Sequence, residues 1–291
     1  MKNIKLTFCV AVFAALALLS SVRAEAIPDE CKIGGFAVSV QAWSFNRFTV
    51  FEAIEKTAKT GAKCIEVFPG QKLSKEEPTI KFDHNVSDEV IAKVKSKLAE
   101  HKIKAVNYGV VGVPADETGA RKVFEFARKM GLYGITTEST GSIDVLEKLA
   151  KEYDIRVCFH DHPKREKDPS YKIWNPHFVM EVCKDRDPRV GACADTGHWQ
   201  TSALKPVDCL KVLTGRVHSS HLKDRADFGK GGPDIVYGTG LGQVAEVLAE
   251  LKSQNFSGNI SVEYENKWDD NVPDITKCVE FVKAWGESQK K

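Results

Sequence analysis

Five stretches of this chain put carboxylates or imidazoles where apolar runs end. Val190-Gly191-Ala192-Cys193-Ala194 leads into Asp195-Thr196-Gly197-His198, and Arg156-Val157-Cys158-Phe159 leads into His160-Asp161-His162. Ile135-Thr136-Thr137 leads to Glu138, Val217-His218-Ser219-Ser220 to His221, and Ile260-Ser261-Val262 to Glu263. Such runs read as β-strands, so the polar groups stand at strand ends. Oxygen and imidazole donors carried on separate rigid elements suit a hard-to-borderline divalent cation.

Glu138, Asp195, His221 and Glu263 are therefore the expected ligands of one divalent metal ion, with Glu265 the rival for Glu263. Three carboxylates and one imidazole favour Mn²⁺, with Mg²⁺ and Co²⁺ next and Zn²⁺ after them. Residues two apart on a strand share a face, so His160 and His162 both reach the site. One is expected to hold a substrate hydroxyl, the other to move a proton or join the metal shell. His198 either touches substrate or braces Asp195. Lys223, followed by Asp224, offers a cation to an oxyanion. Trp43, in Gln41-Ala42-Trp43-Ser44-Phe45, offers a stacking face for a sugar ring, and His84, beyond the second strand, is a further candidate contact.

The elements that must position these residues alternate strictly. Strand-like runs cover residues 36–40, 62–68, 103–110, 133–138, 155–162, 189–195, 217–223 and 258–264. Helical patterns fall between and after them, at 49–61, 87–98, 116–131, 143–153, 175–184, 206–213, 241–251 and 274–285. Alternation of this kind makes a parallel sheet. About eight units without a linker predict a single (β/α)8 TIM barrel, whose active site lies at the carboxyl ends of the strands. The glycine pattern of a dinucleotide-binding first turn is absent.

The 291 residues are 42% hydrophobic and 28% charged, with a net charge of +2. That balance gives no footprint for nucleic acid. Lys2 and Lys5 precede an apolar run from Leu6 to Val22, followed by small residues at Ala24 and Ala26. Charged start, short apolar core and small-residue exit describe a secretory signal peptide. The expected organisation is a leader over 1–24 and a barrel over 25–291, exported to the periplasm or outside the cell, with no membrane association after cleavage. Cys31, Cys64, Cys158, Cys183, Cys193, Cys209 and Cys278 are scattered without CxxC spacing and read as small buried hydrophobes.

The motifs Thr136–Glu138 (TTE), His160–His162 (HDH), Asp195–His198 (DTGH), His221–Asp224 (HLKD) and Val262–Glu265 (VEYE) together resemble the xylose isomerase-like barrel superfamily, in its sugar isomerase/epimerase branch. The resemblance runs over nearly all of the chain after the leader. It implies a metal held by Glu138, Asp195, His221 and Glu263, and proton transfer beside a sugar carbonyl with Glu138 and Glu263 as acid/base partners. Apurinic-site endonucleases share a DTGH-like motif but continue with Asp-x-His; here Asp234-Ile235-Val236 puts valine at the histidine position. Export argues for an unphosphorylated sugar or keto-sugar. Exported barrels of similar sequence also imply a runner-up, a 3-keto-glycoside lyase that shares α-proton removal with the isomerase and then eliminates the group at C1. A carbohydrate-binding barrel without catalysis is the reading from another class. Oligomeric state stays open, including assembly as a homo-oligomer.

Overall fold

The computed structural model describes residues 27–229 and 231–290; the leader expected over 1–24 lies outside them. Eight parallel strands close on themselves. In chain order they are β1 (Phe36–Gln41), β2 (Cys64–Val67), β3 (Lys104–Tyr108), β4 (Gly134–Thr137), β5 (Arg156–His160), β6 (Val190–Asp195), β7 (Val217–Leu222) and β8 (Asn259–Val262). Each pairs with the next, and β8 returns to β1 in the register Asn259↔Ala37 to Val262↔Val40. Every residue of β1, β2, β4, β6 and β8 is buried, since helices cover the outer face and side chains fill the inner one. The single (β/α)8 TIM barrel expected from the alternation is the fold observed.

Among the described residues nine α-helices accompany the strands: α1 (Val50–Lys59), α2 (Asp88–Glu100), α3 (Glu117–Met130), α4 (Ile143–Tyr153), α5 (Pro176–Cys183), α6 (Thr196–Thr201), α7 (Pro206–Val212), α8 (Val244–Ser253) and α9 (Val272–Ser288). Local chemistry sets their ends. Thr49 and Glu52 form a reciprocal capping box on α1. Asp116 accepts from the Gly119 N–H at the start of α3, and Gly131 ends that helix in the left-handed conformation at φ 73°. A two-residue strand, Lys32–Ile33, runs antiparallel to β1, and a small hairpin of Gln71–Lys72 with Lys81–Phe82 follows β2.

Two segments differ from the sequence reading. The strand ending at Asp195 passes directly into α6, a short helix outside the helical patterns of the sequence, begun by the Asp195 carboxylate accepting from the His198 N–H at 2.8 Å. The helix expected from Leu241 starts at Val244, because Asp224 claims the backbone before it. The Asp224 carboxylate accepts from the N–H groups of Gly238, Gly240 and Gly242 at 2.8–3.0 Å, which holds that stretch as a loop.

Candidate active site and metal centre

The barrel interior is polar at its centre. Glu66, on β2, is fully buried and accepts from Thr136 Oγ1 at 2.7 Å and Ser261 Oγ at 2.6 Å. Ser261 in turn meets Ser39 Oγ at 2.8 Å and receives the Asn259 amide at 2.9 Å. Small hydroxyl-bearing residues at these inward positions leave room for one carboxylate below the strand ends. Glu66 Oε2 then lies 3.2 Å from His221 Nε2. Burial alone would push the Glu66 carboxyl up, but the His221 ring and the Ser261 and Thr136 hydroxyls outweigh it and keep it ionised.

One turn above this floor four donors converge. A nitrogen of His160 and of His221 and a carboxylate oxygen of Asp195 and of Glu263 all lie within 4.8 Å of one another. Measured pairwise, His160 Nε2 is 3.4 Å from Asp195 Oδ2, and His221 Nδ1 is 3.2 Å from Glu263 Oε2. Those same four atoms are buried and have no hydrogen-bond partner. Unpartnered donors facing each other at this spacing are what a bound divalent cation would satisfy, and two imidazoles with two carboxylates suit Mn²⁺, Co²⁺ or Zn²⁺. The residues present fit the group.

A second trio shares His160. Its Nδ1 lies 3.6 Å from Glu138 Oε1, and the same oxygen contacts His162 Nδ1 and accepts from Tyr171 Oη at 3.1 Å. Of the four residues expected as ligands, Asp195, His221 and Glu263 meet directly, with His160 as the fourth member; Glu138 stands on the far side of the His160 ring. Burial works against the Glu138 charge, yet the His160 and His162 rings beside it prevail and hold this carboxyl well below the usual range. His160 is raised to about 10: burial opposes its charge, and Asp195 and Glu138 on its two sides overcome that.

Lys223 is the deepest surprise. Its side chain is fully buried, with Nζ 3.1 Å from Asp195 Oδ2, 2.9 Å from Glu263 Oε2 and 2.6 Å from Glu265 Oε1. Only the Glu265 contact has hydrogen-bond geometry; the other two are ion pairs. Burial disfavours the ammonium, and three carboxylates more than compensate, so Lys223 stays charged. Gly197 makes the space: a Cβ there would stand 2.6 Å from Lys223 Cδ.

The cavity above the donors has a volume of about 310 Å³ and is lined by His160, His162, His198, Glu263, Glu265 and Trp43 among others. That size suits a small ligand. Trp43 is 42% exposed at its rim and packs edge-on against Phe68 at 5.2 Å between centroids. His198 is placed for either role expected of it. Its ring lies 3.5 Å from Asp195 Oδ2 and also stacks on His162 at 4.9 Å, facing the cavity. Gln41 bridges the rim, accepting from the Trp43 N–H and donating to the Gly109 carbonyl. His84 is not brought here. Its Nδ1 lies 3.1 Å from Tyr108 Oη, and it lines a separate cavity with Glu117, Arg121 and Lys122.

Glu66 went unnoticed in the sequence, although the signal was there: an acid at an alternate position of an otherwise apolar run, Cys64-Ile65-Glu66-Val67.

A closed eight-stranded barrel with a His/carboxylate cluster at the carboxyl ends of β4 to β8 defines a barrel-enzyme architecture. The chain belongs to the Xylose isomerase-like TIM barrel family, whose model matches residues 54–285. A putative uncharacterized protein from Parabacteroides distasonis is 31% identical, over 85% of this chain and 98% of that one, with a TM-score of 0.68. A D-tagatose 3-epimerase-like protein (17% identity, 87% and 98% coverage, TM-score 0.65) and a D-psicose 3-epimerase (14%, 87% and 98%, TM-score 0.60) share the fold. No curated protein matches the chain in sequence.

Proposed function

We propose that this protein is a divalent-metal-dependent isomerase or epimerase of an unphosphorylated sugar or keto-sugar, working by removal of the proton beside the carbonyl. The observation that carries this reading is the set of four buried donors without hydrogen-bond partners under a sugar-sized cavity, with acids on both sides of His160. A cation bound by His160, Asp195, His221 and Glu263 would supply positive charge for the negative charge that builds on the sugar oxygens as the proton leaves.

The chain's own groups do the rest. Glu138 is kept ionised by its histidine neighbours and is ready to accept a proton. A proton taken there can pass to His162, whose side chain is 44% exposed. Glu263 is the partner acid/base, and its charge is sustained by Lys223 in spite of burial. Lys223 also lowers the repulsion among Asp195, Glu263 and Glu265, which would otherwise be packed together unpaired. Trp43 offers its face to the apolar side of a sugar ring. The expected leader supports export, and export in turn supports a substrate without phosphate.

The deciding experiment incubates metal-loaded protein with free aldoses, ketoses and a 3-keto-glucoside in D₂O and follows each by NMR. Deuterium at the α-carbon with no loss of aglycone is the expected result. Release of the aglycone would replace the isomerase reading by a lyase one. No exchange into any sugar would count against catalysis and for a binding protein.

A further inference from the structure

The end of the barrel opposite the site carries a chemistry of its own. Cys31 closes the short 3-10 turn Asp29–Cys31, and Cys64 is the first residue of β2. They are 4% and 0% exposed and belong to one small apolar cluster with Ile27, Ala37, Val106 and Tyr133, separate from the main core. The two thiols are neighbours in that cluster, each shifting the other's ionisation, Cys31 downward and Cys64 upward. Both are reduced in this structure.

We propose that Cys31 and Cys64 form a disulfide that clips the first turn of the barrel domain across β1 onto β2. Residues 33 apart in sequence share one small buried cluster, the proximity that a disulfide requires. The loop that would be closed, residues 31–64, contains the Lys32–Ile33 strand, β1 and α1. Without the clip, that first turn is held by the Lys32–Ile33 ladder, the small cluster and the packing of Ile33 on the main core.

Bond formation takes two exchanges with an external disulfide, a small-molecule or protein disulfide of the kind found in oxidising compartments. The Cys31 thiolate attacks one sulfur of the oxidant and expels its other sulfur as a thiolate. The Cys64 thiolate then attacks the Cys31 sulfur of the mixed disulfide and expels the second. Two electrons pass to the oxidant, which leaves as two thiols carrying the two protons. In the docked turn Cys64, with help from the Lys104 ammonium, outweighs burial and lowers the Cys31 thiol to about 7, while Cys64 is raised; attack in the reverse order gives the same bond. Because neither sulfur is exposed, the exchange takes place before the turn docks. The other five described cysteines are buried within the barrel and are expected to stay reduced.

The test begins with the full chain refolded in a glutathione redox buffer, alkylated under denaturing conditions and digested for mass spectrometry. A peptide pair joined through Cys31 and Cys64, with the remaining thiols alkylated, is the expected result. Alkylation of both Cys31 and Cys64 after oxidative refolding, or a bridge between other cysteines, would overturn the proposal. Oxidised protein should melt about 10 °C above the reduced form, as closing a loop of about 34 residues implies. The Cys31→Ser and Cys64→Ser variants should lose that redox dependence; a gap that persists in them would place the effect elsewhere. The mapping on unaltered protein stands even if a variant folds poorly.

Discussion

Glu66 Oε2 lies 3.2 Å from His221 Nε2, beneath a ring whose other nitrogen, Nδ1, faces Glu263 and Asp195. With a cation at Nδ1, the carboxylate would hold the ring orientation and take the hydrogen on Nε2. Glu66→Gln keeps the volume but removes the charge, and its amide must face the hydroxyls that Glu66 now accepts from. Metal affinity should fall by about 10–100-fold with little change in secondary structure. Competition with a fluorescent chelator measures it, and unchanged affinity would remove Glu66 from any role in the site.

Gly197 lies within α6, where alanine is normally favoured over glycine by about 1 kcal/mol. Here sterics decide against propensity. A Cβ would meet Lys223 at 2.6 Å and 2.7 Å, and that lysine is locked by three carboxylates. Gly197→Ala should lose about 1–3 kcal/mol of stability, as overpacking of a filled interior does. Urea unfolding reads this directly; a midpoint equal to or above that of the unaltered protein would mean that Lys223 has room to move.

Occupation of the four-donor cluster should stabilise the fold. A cation at a hundred times its dissociation constant adds about 2.7 kcal/mol, which for a domain of this size raises the melting temperature by roughly 5–10 °C. Thermal melts with EDTA and then with excess Mn²⁺ give the comparison. His160→Asn should abolish the difference. Equal melting temperatures in EDTA and Mn²⁺ for the unaltered protein would dismiss the cluster as a metal site.

His218 sets an acid limit. Burial, reinforced by the Arg156 charge, lowers its ring to about 4, and Nε2 has no partner. In the unfolded chain the ring titrates near 6.5. Below that pH the unfolded state binds a proton that the folded state refuses, so stability falls as pH drops from about 6.5 to about 4 and then levels off for this group. The loss is up to about 3 kcal/mol. Melting temperatures across that window should slope less steeply in His218→Asn; identical slopes would assign the acid sensitivity to other groups.

Helix limits were largely legible because their signals are local: the Thr49–Glu52 box, Asp116 before α3 and Gly131 after it each act on neighbouring backbone. The loop before α8 was not, because Asp224 reaches it from the end of β7. Likewise His84 and His198 look alike in sequence. The chain after β2 folds into a hairpin and leaves His84 against Tyr108, whereas the Asp195 cap turns His198 back over the site.

By itself, the sequence determined that strands and helices alternate, and that acids and histidines stand where β4 to β8 end. Periodicity and capping are short-range, so a barrel with chemistry at one mouth could be read from them. Only the tertiary structure decided which of those groups meet. Closure of β8 on β1 brings Glu66 under His221, puts His160 between Glu138 and Asp195, and buries Lys223 among three carboxylates. Distances between strand ends depend on register and barrel closure, which no local pattern records.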